Sequence, residues 1–300
     1  MRLLLALVAV LALAPPAAAP AAPFQAKVRI ANADGEKIAW YDRGSGPPLV
    51  LAIGTGSTMA EWDPALLALL ARERRVIVFD YPGVGRSSKL RGSVTFAGLA
   101  DTTDAFIRAI GLEEADVLGW SMGGFVAQQL AIRHPERVRR LVLAGTNPGG
   151  DQAVLGDDDD QETDSDPDPS EEAVLRVLYP RTKAGRAEGR AFLRRLEDAS
   201  ESGEIPDDFE VPASTVRKQV AAEDPWLRSN ANADALKRLR VPTLVTGGNL
   251  DPVVPPINAR RLDALIPGAQ LRLFADSHAF LFSERARFAP AVLDFLDAPR

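Results

Sequence analysis

The 300-residue chain contains no cysteine. Disulfides, thiolate metal sites, a cysteine nucleophile and a lipid-modified cysteine anchor are all excluded by that one absence. Histidine is nearly as scarce: there are two, His134 and His278. Any chemistry that needs an imidazole base must use one of them. Excess positive charge is also missing. The formal net charge is -6, which argues against a nucleic-acid-binding surface. No internal repeat is present.

The apolar fraction, 46%, is ordinary for a globular chain with a sizeable core. The first residues read differently from the rest. Met1-Arg2 is a short basic start, residues 3–14 are unbroken apolar, and residues 15–23 are rich in alanine and proline. This is the pattern of a secretory signal over residues 1–22, with an apolar stretch too short to span a bilayer. Cleavage is expected near Ala21 or Ala22. The expected compartment is secreted or periplasmic, with no stable membrane span after cleavage.

The stretch that organises the chain is Gly119-Trp120-Ser121-Met122-Gly123-Gly124. An apolar strand precedes it and an apolar helical pattern follows. A serine between a strand and a helix sits on a very sharp turn. Gly119 and Gly123 leave room where side chains would collide with backbone. The Ser121 hydroxyl then points out of the sheet, and the backbone N–H of Met122 at the helix start faces a developing oxyanion.

Around this turn, strands alternate with helices. Residues 26–30 and 37–41 alternate as strands about Asp34-Gly35, a hairpin turn signal. Apolar strands are predicted at 49–53, 75–79, 138–144, 241–246 and 270–274. Helices are predicted at 63–72, 96–110, 258–266 and 280–296. The fold class is therefore α/β, a mostly parallel eight-stranded sheet with helices on both faces and an antiparallel edge. Core segments are expected at 23–146 and 240–300. Residues 147–239 are expected to leave the sheet as a helical cap or lid. Within it, residues 151–172 carry acidic groups and no Lys or Arg, which reads as a self-repelling acidic loop. It lacks the glycine and terminal glutamate of an EF-hand loop.

A serine hydroxyl needs a base. His134 sits at a helix end before Pro135, far from the serine turn, where a structural role is expected. His278 follows the last strand, on the edge where open α/β sheets bind ligands. The imidazole in turn needs an acid to fix its tautomer. Asp251 follows the penultimate strand and is the preferred acid, with Asp151 as the fallback. Asp276 lies too close to His278 in sequence to be aimed at it, and Asp80 sits in a glycine-rich turn that suggests a structural role.

The order Ser121, Asp251, His278 resembles that of serine α/β-hydrolases, the lipase- and esterase-like superfamily, and in particular its capped single-domain members. Asp80-x-x-Gly83-x-Gly85-x-Ser87 and Gly247-x-x-x-Asp251-x-x-x-Pro255 carry the likeness further. The resemblance implies the α/β-hydrolase fold and a second oxyanion donor in the loop after the strand at 49–53. Thr55 is the expected donor, with Gly56 or Ser57 as alternatives. Relatives usually carry His-Gly there, whereas this chain has Ile53-Gly54. The expected activity is hydrolysis of a small or medium carboxylic ester through an acyl-serine, with no metal or organic cofactor. The alternatives on the same triad are a C–C bond hydrolase, lactonase, amidase or aminopeptidase, or a cofactor-free haloperoxidase. A slow ligand receptor is the non-enzymatic alternative. Trp62, Trp120, Met122, Trp226, Phe280 and Phe282 fit either an acyl pocket or ordinary core packing.

Overall fold

The computed structural model describes residues 24–299; the predicted signal segment lies outside the described residues. Eight strands form one sheet: β1 (Arg29–Ala33), β2 (Glu36–Arg43), β3 (Pro48–Ala52), β4 (Arg75–Phe79), β5 (Ala115–Trp120), β6 (Val138–Ala144), β7 (Thr243–Gly248) and β8 (Gln270–Phe274). Their order is β1-β2-β4-β3-β5-β6-β7-β8. β2 pairs antiparallel with both β1 and β4, and every other pairing is parallel. The central strands are apolar on both faces because helices cover both sides of a parallel sheet. β5 is buried at all six positions.

The first strand begins later than its alternation suggested, at Arg29, and runs directly into the turn. Asp34 and Gly35 both have positive φ, 51° and 96°. That pair makes a tight hairpin turn and fixes the register Ala33↔Glu36. The turn, more than the upstream alternation, sets where pairing starts.

Between β4 and β6 lie α2 and α3, after α1 (Pro64–Leu70): α2 spans Phe96–Ala109 and α3 spans Met122–Arg133. Asp63 caps α1 and Thr95 caps α2 through side-chain oxygens that accept first-turn N–H groups. Six helices then separate β6 from β7: α4 (Asp158–Ser165), α5 (Glu171–Leu178), α6 (Lys183–Glu201), α7 (Ala213–Ala221), α8 (Glu223–Leu227) and α9 (Ala231–Leu236). No strand interrupts this insertion, as its helical periodicity predicted. α10 (Ile257–Leu265), α11 (Phe280–Ser283) and α12 (Arg285–Asp297) complete the chain. The single closing helix expected at 280–296 is broken at Glu284.

The acidic segment departs from expectation in one respect: Asp158–Ser165 is helical. Three aspartates, Asp158, Asp159 and Asp160, occupy its first turn, where the positive end of the helix dipole favours them. Asp160 is buried and paired with Arg181, and Arg176 donates to the Thr163 hydroxyl at 2.8 Å. Cations from the next two structural segments thus offset the self-repulsion that argued for a loop.

Candidate active site

The chain leaves β5 and enters α3 through Ser121, whose backbone has φ 54° and ψ -125°. Among the described residues, only Ser121 and Asp34 combine a side chain with positive φ. Such a conformation costs on the order of 1–3 kcal/mol and persists only when its surroundings fix it. Here Ser121 N–H donates to the Ala144 carbonyl at 3.0 Å, and the Ser121 carbonyl accepts from Gly124 N–H at 2.8 Å. The flanking glycines are required by close approach. A Cβ on Gly119 would lie 2.2 Å from the Gly123 carbonyl oxygen, and one on Gly123 would lie 2.0 Å from the Ala52 carbonyl oxygen.

His278 follows β8 in the loop before α11 and is almost fully buried. Its Nδ1 lies 2.7 Å from Asp251 Oδ2. The carboxylate can only accept, so Nδ1 carries the proton and Nε2 presents its lone pair. Nε2 is buried and has no hydrogen-bond partner. The other oxygen, Asp251 Oδ1, accepts from Val253 N–H at 3.0 Å and Val254 N–H at 2.8 Å. The acid is therefore held by the turn that follows β7, and the acid holds the imidazole. Burial alone pushes the imidazole pKa down. The Asp251 charge and hydrogen bond, helped by Asp164, outweigh it and raise the pKa above its ordinary value. The Trp120 indole N–H donates to the His278 carbonyl at 3.1 Å, so the residue before the serine also tethers the histidine loop.

Ser121, His278 and Thr55 line one cavity of about 560 Å³ between the strand ends and the helical insertion. Its apolar wall includes Val174, Val177, Leu178, Val211 and Val216, all from the insertion. Met122 opens α3, and first-turn N–H groups have no intrahelical acceptor. In the facing loop, Gly56 N–H donates to Gln219 Oε1 at 2.9 Å. That donor is occupied, which sets Gly56 aside, while Thr55 and Ser57 both line the cavity.

The rejected residues are placed elsewhere. His134 Nε2 is 2.7 Å from Asp101 Oδ1 on the far side of α3. Asp151 is exposed and accepts from Asn230 Nδ2 at 2.9 Å. Asp276 accepts from the neighbouring Ser277 N–H at 2.7 Å. Asp80 accepts from Met59 N–H at 2.6 Å and packs against Gly85, a structural turn. Of the aromatic and methionine candidates, Trp120 lines the cavity, whereas Trp62, Met122, Phe280 and Phe282 are core residues. Trp226 packs on Phe96 and Phe125 and donates to Asn147 Oδ1 at 2.9 Å.

Sequence reasoning missed Asp164, Gln219 and Glu223. All three come from the insertion, and no local motif marks where a long insertion folds back.

Comparison with known proteins agrees with this architecture. The family model described as "alpha/beta hydrolase fold" matches residues 47–286. The chain belongs to the alpha/beta hydrolase fold family. It is 32% identical over 264 residues to a poly(3-hydroxyalkanoate) depolymerase of Ectopseudomonas oleovorans, covering 84% of this chain and 85% of that one. It is 31% identical over 261 residues to a 2-hydroxymuconate semialdehyde hydrolase of Pseudomonas sp. (strain CF600), covering 85% of this chain and 89% of the relative. Among solved structures, an alpha/beta hydrolase fold protein from Chitinophaga pinensis superposes with a TM-score of 0.79 at 24% identity, covering 91% of this chain and 98% of that chain. Membership in this family and relatives that are named enzymes support hydrolase activity in this chain.

Proposed function

We propose that the chain is an exported serine hydrolase of carboxylic esters, with Ser121 as nucleophile, His278 as base and Asp251 as the acid that orients it. One observation carries the reading: a strained serine and a buried imidazole nitrogen with no partner line the same cavity, and the carboxylate behind the imidazole is already hydrogen-bonded three times. His278 takes the Ser121 proton as Oγ attacks the ester carbonyl. The N–H groups of Met122 and Thr55 stabilise the tetrahedral oxyanion. His278 returns the proton to the leaving alcohol, then activates the water that releases the acid from the acyl-serine. No step calls for a metal or organic cofactor.

The apolar wall fits a small or medium acyl chain, and a depolymerase relative named for a polyester supports ester chemistry. A C–C bond hydrolase is the second reading, favoured by the semialdehyde hydrolase relative. Export rests on the basic-apolar-small pattern of residues 1–22. A fluorophosphonate probe with peptide mapping tests the mechanism. Labelling at Ser121 is expected, and labelling at another serine would refute the assignment. Turnover of 4-nitrophenyl butyrate with no cleavage of C–C substrates would choose the ester reading.

A further inference from the structure

The charge lining the cavity is of one sign. Glu61, Asp164, Asp166, Asp168 and Glu210 line it, and no Lys or Arg does among the described residues. Glu61 is occupied in capping, since its Oε2 accepts from Thr58 N–H at 2.6 Å. Asp166 and Asp168 are exposed at the rim. Asp164 is different. It comes from α4, stands in the wall of the cavity that holds Ser121 and His278, and also lines a second cavity of about 240 Å³ together with Glu223.

Four buried carboxylates elsewhere in the chain are paired with arginines, whereas buried Asp80 is held by the Met59 N–H alone. Asp63 pairs with Arg195 at 2.7 Å, Asp104 with Arg137 at 2.7 Å, Asp116 with Arg139, and Asp160 with Arg181. Asp160 is only one helical turn before Asp164 on α4. Neither Asp164 nor Glu223 has a cationic side chain in ion-pair contact among the described residues. Removal from water raises the Asp164 carboxyl, and removal from water together with the Asp164 charge raises Glu223 to about 8. Two partly buried carboxyls lining one cavity cannot both ionise at low cost, so each keeps its proton unless a cation joins them. The same cavity is lined by His278, a residue 1% exposed whose Nε2 has no hydrogen-bond partner.

We propose that the cavity selects a cationic substrate, an ester carrying an ammonium group, and that Asp164 receives the positive charge, backed by Glu223 in the adjoining cavity, while the carbonyl sits at Ser121. This rests on the serine hydrolase reading and narrows its substrate class. An anionic ester meets the acidic rim on entry and, inside, two carboxyls whose ionisation it would oppose. A cation is attracted at both stages and supplies the partner the two carboxyls lack.

The test is a matched series of 4-nitrophenyl esters with the purified protein: 4-(trimethylammonio)butyrate, butyrate and hemisuccinate. The expected kcat/KM order is cationic, then neutral, then anionic, with steps of about tenfold that shrink as salt is raised. In Asp164→Asn and Glu223→Gln variants the cationic-to-neutral ratio should fall by about tenfold, mostly through KM. An anionic ester turned over as well as the cationic one overturns the proposal, as does an unchanged ratio in both variants. Fluorophosphonate labelling separates the two levels. If Ser121 is labelled and the ratios are flat, the charge selection is wrong and the hydrolase reading stands. If Ser121 is not labelled and no ester turns over, both are wrong.

Discussion

Gly56 and Gln219 are 163 positions apart, yet the Gly56 N–H donates to Gln219 Oε1 at 2.9 Å. Gln219 is buried, on α7 of the insertion. Gly56 belongs to the loop that follows β3 and faces Ser121. The insertion thus grips the loop proposed to carry the second oxyanion donor. Replacing the acceptor, as in Gln219→Met, should lower kcat by about tenfold with little change in KM. Full loss of an oxyanion donor costs more, about 10²–10³, and this variant only loosens one. Steady-state kinetics on 4-nitrophenyl butyrate, with circular dichroism to confirm folding, would check it; an unchanged kcat would disconnect α7 from the reaction.

Ser121→Ala should reduce kcat by something on the order of 10⁶, as for other triad nucleophiles. Substrate binding should survive, because the hydroxyl contributes little to the cavity wall. Turnover near the parent level would remove Ser121 from the mechanism.

The pH profile should report the His278–Asp251 pair. In the proposed mechanism His278 acts as the neutral base, so kcat/KM should fall as pH drops through its pKa. That pKa is raised by Asp251 against the lowering effect of burial. The acid limb should therefore lie above the ordinary imidazole value of about 6.5. In Asp251→Asn the larger raising influence is gone while burial and the smaller Asp164 effect remain, so the limb should move to lower pH while the maximal rate falls by roughly 10⁴. A limb that stays in place would mean that another group controls the titration.

Glu223 makes a prediction about stability. Its carboxyl is raised from 4.5 to about 8 in the fold. Between those values the folded chain holds a proton that the unfolded chain has released. The contribution of this group is therefore full below about pH 4.5 and is lost as pH rises towards 8. Glu223→Gln should flatten this part of the dependence of Tm on pH between 5 and 8. Parallel parent and variant curves in differential scanning calorimetry would contradict it.

The elbow glycines should tolerate nothing larger. A methyl group at Gly123 would press against the Ala52 carbonyl oxygen, which is backbone in the central strand and cannot rotate away. Gly123→Ala should cost about 3 kcal/mol or more and lower Tm by several degrees. Gly35→Ala provides the contrast, since a Cβ there meets nothing within 4 Å and its penalty comes from the positive φ alone. Chemical denaturation of both variants would measure the difference.

The sheet was readable because parallel strands buried on both faces leave continuous apolar runs such as Leu49-Val50-Leu51 and Leu141-Val142-Leu143. Ser121 was readable because its turn needs glycine on both sides. His278 was reached by elimination in a chain with two histidines. Asp251 followed from its place after β7. The cavity's other half was not readable. Asp164, Gln219 and Glu223 are ordinary helix residues in sequence, and they acquire meaning only when α4, α7 and α8 fold back over the strand ends. The acidic helix was missed for the same reason, since Arg176 and Arg181 stabilise it from outside its own segment.

The insertion has a consequence for how reactivity arises along the chain. Ser121 precedes it, whereas Asp251 and His278 both follow it, and β6 meets β7 in the register Leu141↔Thr243 only after those intervening residues have been made. A nascent chain that ends before β7 holds Ser121 without Asp251 or His278 beside it. On the proposed mechanism the serine gains its partners only when the last two strands have docked, so chemical competence and completion of the sheet would arrive together.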